Sequence, residues 1–457
     1  MKPVATRIRA LGLTPGLWML PFAIDHQDPA LADLVPLVVH TPDGKPYEAT
    51  WSGTALDLTR PEARAYVQRF IRQAVHDWGY GYLKLDGLHI GMACQQTYPQ
   101  RNYVDDQFGN AVFFDHTKSN MQAARMGLQA VREAAGPETF ILGCCTPQNE
   151  RSLGMTLGLV DAMRVGPDSG VQWSGVVEGV RCASALYFLN GRVWWNDPDA
   201  IYARNAMPLN EVQCFAGWVA LTGMLNNQTD WAPDYSPERV ELLRRTMPNH
   251  QLPSVRPVDL FKHDPARMWV LTYEVGGATR TVVGLFNWTD EPTDVEVASQ
   301  RCGLRADAEH AALEFWSNEL VPPFRGTLRQ HLPARSGRIL AVRELADHPV
   351  LLGTSRHVTQ GAVDVVEEQW DAAHQTLSGV GRVVGRDPYE LRILTIGGPE
   401  PRTPWRAAKV ELSAEDRQAG ATAELAGDGS LARLRILAPN SRNVRWTVSF
   451  FGPHEAE

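Results

Sequence analysis

Gly79-Tyr-Gly-Tyr-Leu-Lys-Leu-Asp86-Gly-Leu-His89 is the stretch on which the fold turns. It follows an amphipathic run and reads as a short buried strand that ends on a carboxylate. Strand side chains alternate in direction, so Lys84 and Asp86 project to the same side. Two charges on one face of an otherwise apolar strand are costly unless paired or used. Two readings stand at this point. Asp86 is a catalytic group held near Lys84, or the two form a structural ion pair at a strand end.

Working outward, Thr59-Arg-Pro-Glu62 predicts a capping box with proline in the first turn of a helix. Ala63, Val67, Phe70, Ile71, Ala74, Val75 and Trp78 follow at helical spacing, and Gly79 stops the helix. Upstream, residues 1–12 read as a helix and 14–22 as a strand, with Trp18 near its exit. A polar, proline-rich loop then runs to about residue 54. Downstream, helices are expected near 119–135, 176–189 and 210–222, and from Ser236 to before Pro248. Strands are expected over 139–145, 161–168, 192–197 and 224–230.

This alternation implies parallel strands with covering helices. Six strands open at Gly16, Tyr82, Phe140, Ala162, Val193 and Leu225. Their C-terminal ends carry Trp18, Asp86, Cys145, Asp168, Asp197 and Asp230. A doubly wound sheet would gather its ligand groups at one crevice. Six successive loaded strand ends favour the rim of a (β/α)8 barrel of the TIM type, although six is two short of eight. After about residue 252 the pattern becomes alternating runs broken by Gly, Pro, Asp and Asn, which predicts antiparallel β-structure. The expected organisation is an α/β catalytic barrel over 1–252, a β-sandwich over 253–346, and a second β-rich domain or sandwich extension over 347–457.

Composition narrows the function classes. The 457 residues are 44% hydrophobic and 21% charged, with a net charge of −8 and no concentrated basic run, which argues against nucleic acid as a partner. No apolar run of membrane-spanning length occurs. The six cysteines show no C-x-x-C pair and no zinc-like spacing. Free thiols in a reducing, cytoplasmic compartment are the expectation on the residues present. Fourteen tryptophans suit either sugar binding or core filling.

Two rim carboxylates stand out. Asp86 ends one strand, and Asp168 lies on a Gly-Pro-shaped turn two strands later. Two carboxylates at one barrel mouth suit a retaining glycosidase, in which they sit roughly 5–5.5 Å apart. Lys84 and Arg164 are candidate cations that keep a nucleophile ionised, and Trp173 is candidate apolar cover for an acid. Asp168 in Gly-Pro-Asp-Ser-Gly also reads as an ordinary turn residue, and Asn196-Asp-Pro-Asp199 is likewise turn-like. His89 has no further histidine at ligand spacing, so no metal site is expected. Cys144 and Cys145 read as buried thiols.

In order, Gly16-Leu-Trp, Tyr82-Leu-Lys-Leu-Asp86, Gly143-Cys-Cys, Asp161-Ala-Met-Arg-Val-Gly-Pro-Asp168 and Trp195-Asn-Asp-Pro-Asp199 resemble melibiase-type α-galactosidases of glycoside hydrolase clan D, family 36 above all. Leu285-Phe-Asn-Trp-Thr-Asp290 and Leu352-Gly-Thr-Ser-Arg-His357 are similar to that group's β-rich C-terminal region. The resemblance implies a retaining exo-glycosidase acting on terminal α-galactosides without a cofactor. It makes Asp86 the nucleophile and Asp168 the acid/base. Trp18, Lys84, Cys145 and Arg164 would line the sugar pocket, with Trp173, Asp197 and Asp199 as further substrate-site candidates.

Two departures from that pattern matter. The chain starts in the helix before the family's third strand, so strands 3–8 of the barrel are expected and low activity with them. Cys144-Cys145 stands where relatives carry Cys-Gly. The alternatives are a non-catalytic carbohydrate-binding remnant, an α-N-acetylgalactosaminidase and an α-glucosidase.

Overall fold

The computed structural model describes residues 1–25, 27–29, 31–49, 53–94, 109–144, 154–397, 404–427 and 429–452. The chain divides into two compact units. One comprises Met1–Ser169 and Glu178–Asp199, the other Gly170–Val177 and Ala200–Glu457.

The first unit opens with helix α1 (Lys2–Ala10) and strand β1 (Gly16–Met19). The expected polar loop contains a small antiparallel sheet of β2 (Ala23–Asp25), β3 (Glu48–Ala49) and β4 (Gly53–Ala55). Strands of two or three residues are too short to show an alternation, which is why they escape a reading by pattern. Helix α2 (Pro61–Arg72) leads into β5 (Tyr82–Leu85), and α3 (Asn120–Ala135) into β6 (Phe140–Gly143). Strands β7 (Ala162–Arg164) and β8 (Trp195–Asp197) complete a five-stranded parallel sheet in the order β1-β5-β6-β7-β8.

Helix α3 starts as expected. Ser119 accepts from Gln122 N, and the Gln122 side chain accepts from Ser119 N, forming a reciprocal capping box. The capping box expected at Thr59 does not form. The Thr59 hydroxyl donates to Asp57 Oδ1 and accepts from Asp115 N, so the N-cap is Arg60, without a side-chain cap.

The two faces of the parallel sheet carry different residues. Leu83, Leu85, Ile141 and Met163 point to the helices and join Val67, Ile71, Leu128 and Val131 in one buried cluster. Each such side chain contributes about 1.5–3 kcal/mol by leaving water. On the opposite face, register aligns Trp18, Lys84, Leu142, Ala162 and Trp195 in one row. Continued by one pleat, the same register aligns Asp86, Cys144, Arg164 and Asp197. The chemistry-bearing residues therefore share one face of one sheet, at the C-terminal ends of its strands.

Residues 224–230, expected as a sixth parallel strand, form none. Gln228 makes a single parallel bridge to Ile201, and the Asn226 amide donates to Thr246 Oγ1 and to the Thr246 carbonyl. Leu-Asn-Asn-Gln-Thr-Asp has low strand propensity. This segment belongs to the second unit, with helix α4 (Leu209–Thr222) and the antiparallel sheets. These sheets are one of six strands and one of two between residues 256 and 344, then two of four strands each between 350 and 451. Among the described residues no helix is long and apolar enough to cross a membrane.

Candidate active site

Asp86 follows β5 directly and is half-buried. Its Oδ2 accepts from the Trp18 indole Nε1 at 3.0 Å, and its Oδ1 accepts from Gly87 N at 2.9 Å. Gly87 has φ +62°, a left-handed conformation that glycine adopts freely and that turns the chain sharply after the carboxylate. Trp18 is 55% exposed, so an indole face lies open to solvent beside Asp86.

Two strands away in the same row, Arg164 is fully buried and ion-paired twice. Its Nη2 lies 2.5 Å from Asp168 Oδ1 and 2.8 Å from Asp199 Oδ1. Two strand spacings put the Asp86 and Arg164 backbones about 10 Å apart. Asp199 also accepts from Ser169 N and Ser169 Oγ, and donates its own N–H to Asp197 Oδ1. Burial works against the Arg164 charge, yet Asp197, Asp199, Cys144 and Asp168 together hold its pKa above the ordinary range.

Asp197 is enclosed completely. Burial pushes its carboxyl above the usual range, Arg164 pulls it down, the neighbouring Asp199 pushes it further up, and the Asp199 N–H and Lys84 also lower it. Tyr82 shares this face and stacks on Phe140, with ring centroids 5.4 Å apart. Burial, then Asp197 and Cys144, push its hydroxyl well above its ordinary value. His89 is buried just past Asp86, and burial lowers it to about 4 despite the opposing pull of Asp86.

The structure thus brings Trp18 to Asp86, and Arg164 to both Asp168 and Asp199. Trp173 lies in the other unit, buried, with its indole N–H donated to the Trp288 carbonyl and its ring stacked on Trp288. Cys145 lies outside the described residues. Ser169 and Tyr82 were missed by sequence reasoning. Tyr82 had a signal, since it stands two residues before Lys84 on the same strand face. Ser169 had none, because its partner is thirty residues away. Among the described residues no group of three His, Cys, Asp or Glu is placed to hold a metal.

No family model matches the chain. Among solved structures it is similar to a GH27 β-L-arabinopyranosidase from Geobacillus stearothermophilus, at 14% identity and a TM-score of 0.58, over 75% of this chain and 76% of that one. It is also similar to α-galactosidase I from Mortierella vinacea, at 12% identity and a TM-score of 0.51, over 75% and 79% of the two chains. An isomalto-dextranase from Arthrobacter globiformis T6, complexed with panose, matches 99% of this chain and 82% of its own, at 13% identity and a TM-score of 0.52. The shared feature is the fold of melibiase-type α-galactosidases and related glycosidases, a parallel sheet with covering helices followed by antiparallel sheets.

Proposed function

We propose that this chain is a retaining exo-glycosidase acting on terminal α-galactosides, with Asp86 as nucleophile and Asp168 as acid/base. The observation that carries the reading is the row Asp86, Cys144, Arg164, Asp197 at the strand ends, with Trp18 hydrogen-bonded to Asp86. On this reading the five parallel strands are consecutive strands of a (β/α)8 barrel, and the division at 252 and 346 separates catalytic and β-rich parts. On the same reading Lys84 and Arg164 line the sugar side, with the buried Asp197 and Asp199 beside Arg164, and the chain works in a reducing, cytoplasmic compartment.

In the first step an Asp86 oxygen attacks the anomeric carbon. The bond from that carbon to the leaving oxygen breaks, and the leaving oxygen takes the proton of Asp168. In the second step Asp168, now a carboxylate, takes a proton from water. The water oxygen forms the new bond to the anomeric carbon, and the ester bond to Asp86 breaks, which releases sugar of the original configuration. Trp18 orients the carboxylate for both steps through its N–H.

Asp86→Ala in the full chain is expected to abolish hydrolysis of p-nitrophenyl α-galactoside, by about 10⁴-fold or more, while galactose binding persists. Retained turnover overturns the reading. A second reading, an α-glucoside substrate, is favoured by the isomalto-dextranase match along 99% of the chain, against 75% for the α-galactosidase. Comparing kcat/KM on α-galactosides and α-glucosides decides between the two.

A further inference from the structure

Arg164 is shared by two carboxylates of very different exposure. The Asp168 side chain is 79% exposed, and the Asp199 side chain 9%. Water screens the first pair far more than the second, so the buried partner holds the guanidinium more strongly. Asp199 does more than hold Arg164. Its Oδ2 accepts from Ser169 N at 2.7 Å and from Ser169 Oγ at 2.8 Å, and Ser169 is the residue after Asp168. Asp199 itself sits at φ +85°, a region that Asp and Asn tolerate better than most residues.

We propose that Asp199 is a positioning residue: it fixes the Asp168 turn through Ser169 and takes up the charge of Arg164, leaving Asp168 free to exchange its proton. The proposal rests on the acid/base reading of Asp168. The other charged or titratable groups facing Arg164 and its partners are Lys84 and Tyr82 from β5, Cys144 after β6, and Asp197 on β8. Asp197 faces Arg164 as well, but Asp199 is the buried carboxylate that both pairs with Arg164 and accepts from Ser169. Without the Asp199 charge, Arg164 turns to Asp168.

The test uses the full chain labelled with [¹³Cγ]aspartate, the Asp168 resonance being assigned by its loss in Asp168→Asn. In Asp199→Asn the Asp168 titration midpoint is expected to fall by about one pH unit, as a newly unshared cation dictates. The alkaline limb of kcat for an unactivated galactoside moves down with it, and that substrate loses more than a 2,4-dinitrophenyl galactoside, whose leaving group needs no proton. An unmoved midpoint, or equal losses on both substrates, overturns the proposal. Asp199→Gly, which accepts the positive φ, is the second neutral variant and serves if Asp199→Asn does not fold. The midpoint is read without turnover, so failure of the glycosidase reading and failure of the charge-sharing role register separately.

Discussion

Arg164 and Arg280 are both almost wholly buried guanidinium groups, yet their surroundings differ in a way that separates chemistry from structure. Arg280, in the β-rich unit, pairs with Glu368, whose side chain is 7% exposed. Glu368 also accepts from Leu351 N and lies 3.8 Å from Arg343. That network is closed. Arg164, at the end of a parallel strand, shares its charge between a buried carboxylate and an exposed one. A buried cation with all its partners enclosed costs desolvation and returns rigidity. A buried cation with one partner facing solvent presents charge to whatever arrives there.

The largest effect expected from breaking this contrast lies in the closed network. Glu368→Gln leaves Arg280 and Arg343 without their buried carboxylate, and stability should fall by about 3–5 kcal/mol, read by urea unfolding. Asp168→Asn removes an exposed charge and should change stability by less than about 0.5 kcal/mol while removing turnover of unactivated substrates. Equal destabilisation by the two variants would erase the distinction.

A smaller effect is the response to acid. His89 and His250 are lowered by burial to about 4, and His357 by burial, then by His250, to about 3. An unfolded histidine titrates near its ordinary value of about 6.5, so between that pH and the folded values the unfolded chain binds more protons. Stability is therefore complete above pH of about 6.5 and is lost as the pH falls toward about 4, by up to about 3 kcal/mol for each residue. His250→Gln, measured by thermal unfolding at both ends of that window, should flatten the loss in the β-rich unit. An unchanged acid slope would contradict this.

The smallest effect is at the open site. Trp18→Phe keeps a ring but removes the N–H that reaches Asp86. Losing a hydrogen bond to a charged group costs about 1.5–3 kcal/mol, so kcat should drop roughly 10- to 100-fold with the melting temperature unchanged, since the residue is exposed.

The same contrast explains what the sequence revealed. The Asp86 strand was legible because a charge at every second position on an apolar run is a local pattern. The helix near 119–135 was legible from its apolar spacing and its Gly136-Pro137 stop. The Thr59 box misled because Asp57, nearby, and the Asp115 N–H, distant, together occupy its hydroxyl. Residues 224–230 looked like a strand by their place in an alternation, but their own composition has low strand propensity and they make only one parallel bridge. Asp168 and Asp199 could each be read as turn residues. Their shared guanidinium and the Ser169 clamp join positions about thirty residues apart, which no local pattern encodes.

The central claim is that Asp86 is the nucleophile. Incubating the full chain with 2,4-dinitrophenyl 2-deoxy-2,2-difluoro-α-galactoside, then digesting it and mapping the adduct by mass spectrometry, tests it directly. The account predicts one covalent sugar on the Asp86 side chain, absent in Asp86→Ala. A sugar on any other carboxylate, or persistence of the adduct in Asp86→Ala, would contradict it.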